Sequence, residues 1–245
     1  MRPKIYIDGK EGTTGLQIYE RLGARNDLDL LLIDEEKRKD TEERRKFLNA
    51  ADIVFLCLPD AAAREAVSLI ENDHTRVIDA STAHRTADGW AYGFPELSEG
   101  HRAAIQASTR VANPRCHATG FIASVYPLVA HGVLSATDAL TCFSLTGYSG
   151  GGKKMIASYE AEDKTPDLYA PRIYGLNLQH KHLPEMQKVC GLSVPPVFCP
   201  VVDDYYKGMA TTVMLPGQNE HIVWQALSAH YAGQKLVKVA PLGEG

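Results

Sequence analysis

Residues 112–120 read ANPRCHATG. Asn113-Pro114 is a turn signal, and Phe121, Ile122, Val125, Leu128 and Val129 follow at helical spacing. Cys116 therefore falls at a helix N-terminus, where the helix dipole stabilises a thiolate and free N–H groups can hold a developing oxyanion. A nucleophilic sulfur needs that placement; the plain alternative is a small apolar core residue. Pro127 stands inside the expected helix and kinks or ends it. The next reactive cluster is Gln179-His180-Lys181-His182-Leu183-Pro184-Glu185. Two histidines at i, i+2 project to one side only on extended backbone. A zinc site completed by Cys190 or Cys199 is one reading, but no C-x-x-C and no i, i+4 histidine pair supports it. The better reading makes one histidine the acid/base partner of a thiolate elsewhere in the chain. A plain pair of surface histidines stands against it. Arg85 follows a strand end, and its planar fork suits a phosphate or carboxylate, unless it is an ordinary surface arginine.

These groups need a scaffold, and the first half supplies one. Lys4 to Ile7 reads as a strand running into Asp8-Gly9-Lys10-Glu11-Gly12-Thr13-Thr14-Gly15, with Leu16, Tyr19 and Leu22 following at helical spacing. Strand, glycine turn and helix are the context of a dinucleotide motif, here as G-x-x-G-x-x-G. Gly9 makes the tight turn, Gly12 lets a pyrophosphate approach, and Gly15 allows close helix–strand packing. N–H groups at the helix start then hold the phosphates. The competing reading is a glycine-rich turn with no ligand. A second strand over 28–33, a charged helical stretch over 34–50, a buried strand over 53–58, a helix through Ala62, Ala66, Val67 and Ile70, and a strand over 76–79 continue the pattern. This alternation predicts an α/β fold with a doubly wound, Rossmann-like parallel sheet. The carboxyl ends of its strands carry Gly9–Gly15, Asp34, Pro59-Asp60 and Ser81-Thr82. Asp34 suits a ribose 2′-OH, whereas Lys37, Arg38 and Lys39 suit a 2′-phosphate, so NAD and NADP both stay open. The glycine cluster over 146–153, TGYSGGGK, lacks the hydroxyl of a P-loop because residue 154 is Lys. It reads as a loop in close backbone contact with substrate or cofactor.

The chain has 245 residues, 44% hydrophobic and 23% charged, with net charge -4, so no basic surface points to nucleic acid. The longest apolar run, IVFLCLP at 53–59, is strand-sized rather than membrane-spanning. MRPKIYIDG enters a strand at once, which leaves no room for a signal peptide. Five cysteines without paired spacing read as reduced thiols of a cytoplasmic protein.

The stretches IDGKEGTTGLQI (7–18), CLPD (57–60), VIDASTAHR (77–85), YGFPEL (92–97), ANPRCHATG (112–120), TGYSGGGK (146–153), YGLNLQHKHLPE (174–185) and AHYAGQ (229–234) together resemble the N-acetyl-gamma-glutamyl-phosphate reductase family, in its shorter form. The resemblance implies an NADP-binding Rossmann-like domain over 1–115. A semialdehyde-dehydrogenase-like α+β catalytic and dimerisation domain would follow over 116–245, without a C-terminal part that the family carries. It implies NADPH-dependent reduction of N-acetyl-L-glutamyl 5-phosphate through a cysteine thioester, in arginine biosynthesis, by a homo-oligomer that needs no metal. The implied catalytic residues are Cys116, His180, His182 and Glu185, with His180 favoured over His182 as acid/base and Glu185 orienting a histidine. Arg85, Asn113, Tyr148 and Ser149 fall to the substrate. Gly9, Gly12, Thr13, Thr14, Gly15, Pro59, Ser81, Gly150 and Gly151 fall to NADP(H). Two alternatives stay beside it: an enzyme of the aspartate-semialdehyde dehydrogenase type, and a non-catalytic NADP-binding relative. The family motif reads Asn-Pro-Gly-Cys-Tyr-Pro-Thr, and here Arg115, His117 and Ala118 replace its Gly, Tyr and second Pro. If the glycine position needs positive φ, Arg115 is strained.

Overall fold

The computed structural model describes residues 2–10 and 12–243. Two units divide the chain: one runs to Pro95 and takes up Gly100–Pro114, and the other holds Glu96–Glu99 and the chain from Arg115 onward.

The first unit places β1 (Lys4–Asp8), α1 (Thr13–Gly23), β2 (Asp29–Leu31), α2 (Thr41–Ala50), β3 (Ile53–Leu56), α3 (Asp60–Ser68), β4 (Arg76–Asp79), β5 (Ala91–Tyr92), α4 (Glu99–Ala107) and β6 (Arg110–Ala112) in chain order. All six strands pair in parallel, in the order β2-β1-β3-β4-β6-β5. The order reverses between β1 and β3, which is where open α/β sheets bind ligands. Tyr6, Leu48, Val54, Leu56 and Val77 form the core with Ala51, Ala63, Ala66 and Leu69. The charged stretch expected as one helix is split. Asp34 caps a short 3₁₀ turn over Glu35–Lys37, and Asp40 then caps α2 by accepting from Glu43 N–H at 2.9 Å. The strand expected to reach residue 58 ends at Leu56, although Cys57 N–H still donates to Asp8 O at 2.8 Å.

The second unit holds α5 (Cys116–Ala130), β7 (Thr141–Gly147), α6 (Lys153–Glu160), β8 (Arg172–Ile173), α7 (Leu183–Cys190), β9 (Val197–Asp203), β10 (Met209–Met214) and α8 (Glu220–His230). Its sheet runs β10-β7-β9-β8, with β7 and β9 parallel and the outer strands antiparallel to them. Alternation along β7 buries Cys142 and Ser144 and leaves Thr141 and Phe143 outward. The apolar stripe of α5, Phe121, Ile122, Val125 and Leu128, is fully buried. A Cβ on Gly120 would run into the Thr211 side chain, so that glycine lets α5 lie directly on β10. Pro127 does not end α5, which continues to Ala130. Proline has no N–H for the Ala123 carbonyl, and the Tyr231 hydroxyl donates to that oxygen instead, at 2.7 Å.

Candidate active site

The glycine turn of the first unit is built from main chain. Gly9 has φ 87°, and a Cβ there would collide with the Cys57 carbonyl. A Cβ on Gly15 would collide with the Gly9 carbonyl, so α1 can start this close to β1 only with glycine at 15. Gly12 N–H donates to Gly9 O at 3.0 Å and closes the turn. Gly12 is also the N-cap of α1 and brings no side-chain cap, so the first-turn N–H groups, that of Thr14 among them, have no intrahelical acceptor. The side chain of Thr13 lies outside the described residues. A cavity of about 490 Å³ opens beside the turn, bounded by Ile7, Gly9, Leu32, Ile33, Arg38 and Lys39 among others. Under it Arg44 donates twice to Asp8 Oδ2, at 3.2 and 3.0 Å, and once to Glu65 at 3.0 Å. Burial raises the Asp8 pKa against the pull of Arg44. Asp34, the residue suited to a ribose hydroxyl, accepts from Glu36 N–H through Oδ1 at 3.1 Å and is not among the residues bounding the cavity, whereas Arg38, paired with Glu35 at 3.1 Å, and Lys39 are. A glycine cradle, an apolar slot and two cations at its edge fit a dinucleotide that carries an extra phosphate.

Elsewhere in this unit the expected site residues are placed variously. Pro59 is exposed as the N-cap of α3. Ser81 is buried, and its hydroxyl donates to Asp79 Oδ2 at 2.7 Å. His84 Nδ1 meets the same carboxylate at 2.6 Å, with its ring stacked on Trp90. Arg85 is buried rather than spread on the surface. Its Nε donates to Asn113 O at 3.0 Å and its Nη2 to Ala80 O at 3.1 Å, so it ties the ends of β4 and β6 together. Asn113 is exposed and donates to its neighbour's carbonyl, Pro114 O, at 2.9 Å.

In the second unit Cys116 is the first residue of α5 and half-buried. Arg115 before it has φ −128° and ψ 138°, an ordinary extended N-cap, so the residue in place of glycine carries no strain. Its N–H donates to Glu185 Oε1 at 3.4 Å, which ties α7 to the start of α5. Ala118 is fully buried in the first turn. His117 is buried with both ring nitrogens engaged, Nδ1 to Ser144 Oγ at 2.6 Å and Nε2 to Tyr174 Oη at 2.7 Å. Burial first, and His180 second, push its pKa down to about 4. The residues before His182 form turns rather than a strand. The two histidines still converge, with ring centroids 4.5 Å apart, because His182 adopts helical angles at the N-cap of α7. His180 lies 6.2 Å and His182 5.8 Å from the His117 ring, with Phe198 closing the cluster. His182 N–H donates to His180 Nδ1 at 3.2 Å, so a neutral His180 carries its proton on Nε2. Burial, and then Lys181, lower the His180 pKa. By contrast burial pushes the thiols of Cys142 and Cys190 up to about 12, which makes them inert.

The glycine loop divides. Tyr148 is buried, stacks on Tyr159 at 4.7 Å and donates to Glu160 at 3.2 Å, so its ring serves the core. Ser149 N–H donates to Tyr206 O at 3.0 Å. Gly150 and Gly151 are exposed, leaving main chain accessible. Among the described residues no group of three or more His, Cys, Asp or Glu side chains is placed to hold a metal ion, and no helix is long and apolar enough to cross a membrane. Sequence reasoning did not single out Tyr174, Ser144, Thr211 or the Asp8–Arg44 pair. Tyr174 had a visible signal, its place six residues before His180. The others had none.

Residues 5–106 match the family model described as semialdehyde dehydrogenase, NAD binding domain, and residues 116–244 the one described as semialdehyde dehydrogenase, dimerisation domain. The chain is 47% identical over 254 residues to "N-acetyl-gamma-glutamyl-phosphate reductase 2" of Nostoc sp. (strain PCC 7120), covering 98% of this chain and 78% of that protein. It is 51% identical over 251 residues to the N-acetyl-gamma-glutamyl-phosphate reductase of Chelativorans sp. (strain BNC1), covering 98% and 80%. Among solved structures, aspartate semialdehyde dehydrogenase II from Vibrio cholerae superposes with a TM-score of 0.67 at 15% identity, over 94% of this chain and 79% of that one. Aspartate semialdehyde dehydrogenase with NADP from Candida albicans gives 0.65 at 15%, over 92% and 76%. At that identity the likeness speaks for the fold alone.

Proposed function

The chain belongs to the N-acetyl-gamma-glutamyl-phosphate reductase family, and on that premise we propose that its chemistry runs through Cys116. It is an oxidoreductase that converts N-acetyl-L-glutamyl 5-phosphate to N-acetyl-L-glutamate 5-semialdehyde and phosphate, with NADPH as reductant, in arginine biosynthesis. The observation that carries the proposal is a half-buried thiol heading α5 in a unit that also gathers His117, Tyr174, His180 and His182.

The Cys116 sulfur attacks the acyl carbon. The carbon–oxygen bond to phosphate breaks, phosphate leaves with the electron pair, and a thioester remains on the sulfur. NADPH, when bound, supplies the hydride that reduces the thioester carbonyl. His180 Nε2–H gives its proton to the thiohemiacetal oxygen as it gains charge and takes the same proton back at Nε2 as the carbon–sulfur bond breaks and the electron pair returns to the Cys116 sulfur. His180 suits this role better than His182 because it is half-buried, whereas His182 is 2% exposed. Glu185 fixes the start of α5 through Arg115 N–H. The glycine turn from Gly9 to Gly15 carries the pyrophosphate, with Pro59 beside it, and Arg38 and Lys39 take the 2′-phosphate. Arg85 positions Asn113 at the substrate, with Ser149, Gly150 and Gly151 offering main-chain groups. Residues 1–115 act as the cofactor domain and 116–245 as the catalytic domain. The outward sheet face bearing Phe143, Val197 and Met214 pairs with a second copy of the chain. Five free thiols suit the cytoplasm.

Cys116→Ser tests this. Turnover of N-acetyl-L-glutamyl 5-phosphate with NADPH should fall by at least about a thousandfold, with NADP⁺ affinity within about twofold of wild type. Normal turnover in that variant overturns the covalent route. A parallel assay with aspartyl phosphate should give no turnover in either protein.

A further inference from the structure

The reaction above uses the sulfur and one histidine and leaves His117 idle. Yet His117 is 2% exposed, and each ring nitrogen has a hydroxyl partner. Ser144, fully buried, also meets Thr211 Oγ1 at 2.8 Å. The order Thr211, Ser144, His117, Tyr174 is therefore a continuous hydrogen-bonded chain that ends in a phenol.

A neutral imidazole has one N–H, so the chain has two directions. In one, Tyr174 donates to His117 Nε2, His117 Nδ1–H donates to Ser144, and the phenol proton is used inside the chain. In the other, Ser144 donates to His117 Nδ1, His117 Nε2–H donates to Tyr174 Oη, and the phenol proton is left for the site. A negative charge nearby favours the second, because an O–H dipole turns toward an anion and chained hydrogen bonds polarise one another. Cys116, the first residue of α5 and the one immediately before His117, supplies that charge once ionised. After burial, it is the second cause pushing the Tyr174 phenol up to about 12, which keeps the proton on the oxygen as a donor.

We propose that His117 is a positioning residue that turns the Tyr174 hydroxyl toward the Cys116 thiolate, through the hydrogen-bonded order Thr211–Ser144–His117–Tyr174. This rests on Cys116 being the nucleophile. Ionised, the sulfur gains a donor; once it is acylated, the chain can reverse and withdraw it. Among the described residues, the titratable and charged groups that the contacts place at the cluster are His180 and His182 from the 180–182 segment and, from α7, Glu185 on Arg115 N–H, with Lys181 acting on His180 and Arg115 adjoining Cys116 in the chain.

The test is the rate of iodoacetamide capture at Cys116 in the full chain, read from the peptide that contains it, from about pH 5 to pH 10. In His117→Phe the midpoint should rise by about one pH unit. In His117→Gln, whose side-chain N–H can stand in for Nε2, it should return to within about a third of a unit of wild type. Tyr174→Phe should match His117→Phe, and the double variant should add nothing, since the two act as one device. Turnover in both should fall roughly tenfold at nearly unchanged KM. Tyr174→Phe removes one oxygen and keeps the test sound if His117→Phe does not fold. An unmoved midpoint in Tyr174→Phe, or additive shifts in the double variant, overturns the proposal. A wild-type Cys116 that iodoacetamide never captures would instead overturn the nucleophile on which the proposal rests.

Discussion

Around Gly9 and Gly15 the useful polar groups belong to the main chain, and side chains matter by being absent, since a Cβ at either position would strike a carbonyl. Around Cys116 the reverse holds: His117, Tyr174, Ser144 and His180 supply the polar groups, and main chain mostly holds them in place. A site built from backbone tolerates change in its neighbours but not a methyl group in its turn. A site built from side chains accepts a changed backbone residue, as Arg115 shows at its extended N-cap, but depends on each hydroxyl and ring nitrogen.

The largest effect should come from the side-chain site. His180→Gln should lower kcat by roughly a hundredfold or more, as loss of an acid/base group does, while His182→Gln should leave a larger share of turnover. If the two variants are ranked the other way in steady-state assays, His182 is the acid/base group. On the backbone side, Gly15→Ala should cost about 3 kcal/mol or more, because the added methyl meets main chain that cannot step aside. Denaturant melts read the loss, and it should come with weakened NADP⁺ binding. An alanine variant as stable as wild type breaks the contrast.

A third effect is carried by pH. His117 titrates near 4 in the fold against an ordinary 6.5, so the native state binds fewer protons than the unfolded chain between those values. The stabilisation is whole above pH 6.5 and is lost as pH falls toward 4. It should amount to roughly 2–3 kcal/mol between pH 7 and pH 4.5. His117→Gln should flatten that part of the stability profile in urea melts. The smallest effect should be at the cavity edge. Replacing Arg38 and Lys39 together by alanine should weaken NADP⁺ about tenfold, near 1.4 kcal/mol, and leave NAD⁺ binding unchanged by calorimetry. Equal weakening of both would place the 2′-phosphate elsewhere.

The same contrast explains how much could be read from the sequence. Glycines at 9, 12 and 15 between a strand and a helix announce a turn because little else calls for glycine at that spacing, and the turn stands where it was expected. The doubly wound half was legible for the same reason: apolar runs such as Ile53–Leu56 keep their period. β5, with two residues, is too short to show one. Cys116 could be placed at a helix start from Asn113-Pro114 and the apolar spacing after it. Its partners could not. His117 meets Ser144 across 27 positions only because α5 lies on the sheet in one register, and no local pattern reports a register between distant elements. The histidine pair misled in a different way. The i, i+2 rule assumes extended chain, whereas the rings converge through turns and the start of α7. Asp34 and Lys37–Lys39 left the cofactor undecided because composition does not say which side chains reach the cavity; Arg38 and Lys39 bound it and Asp34 does not.

The hydroxyl of Tyr231 on the Ala123 carbonyl closes a loop of 108 positions. Until that contact forms, the middle of α5 has a main-chain oxygen that its own helix cannot answer. Closure over such a distance is slow to find, so a chain emerging from the ribosome can complete its glycine turn early but must wait for the segment after α8 before the helix bearing the thiol is fully settled. Refolding followed by hydrogen exchange would therefore see the α5 amides gain protection late, in step with α8.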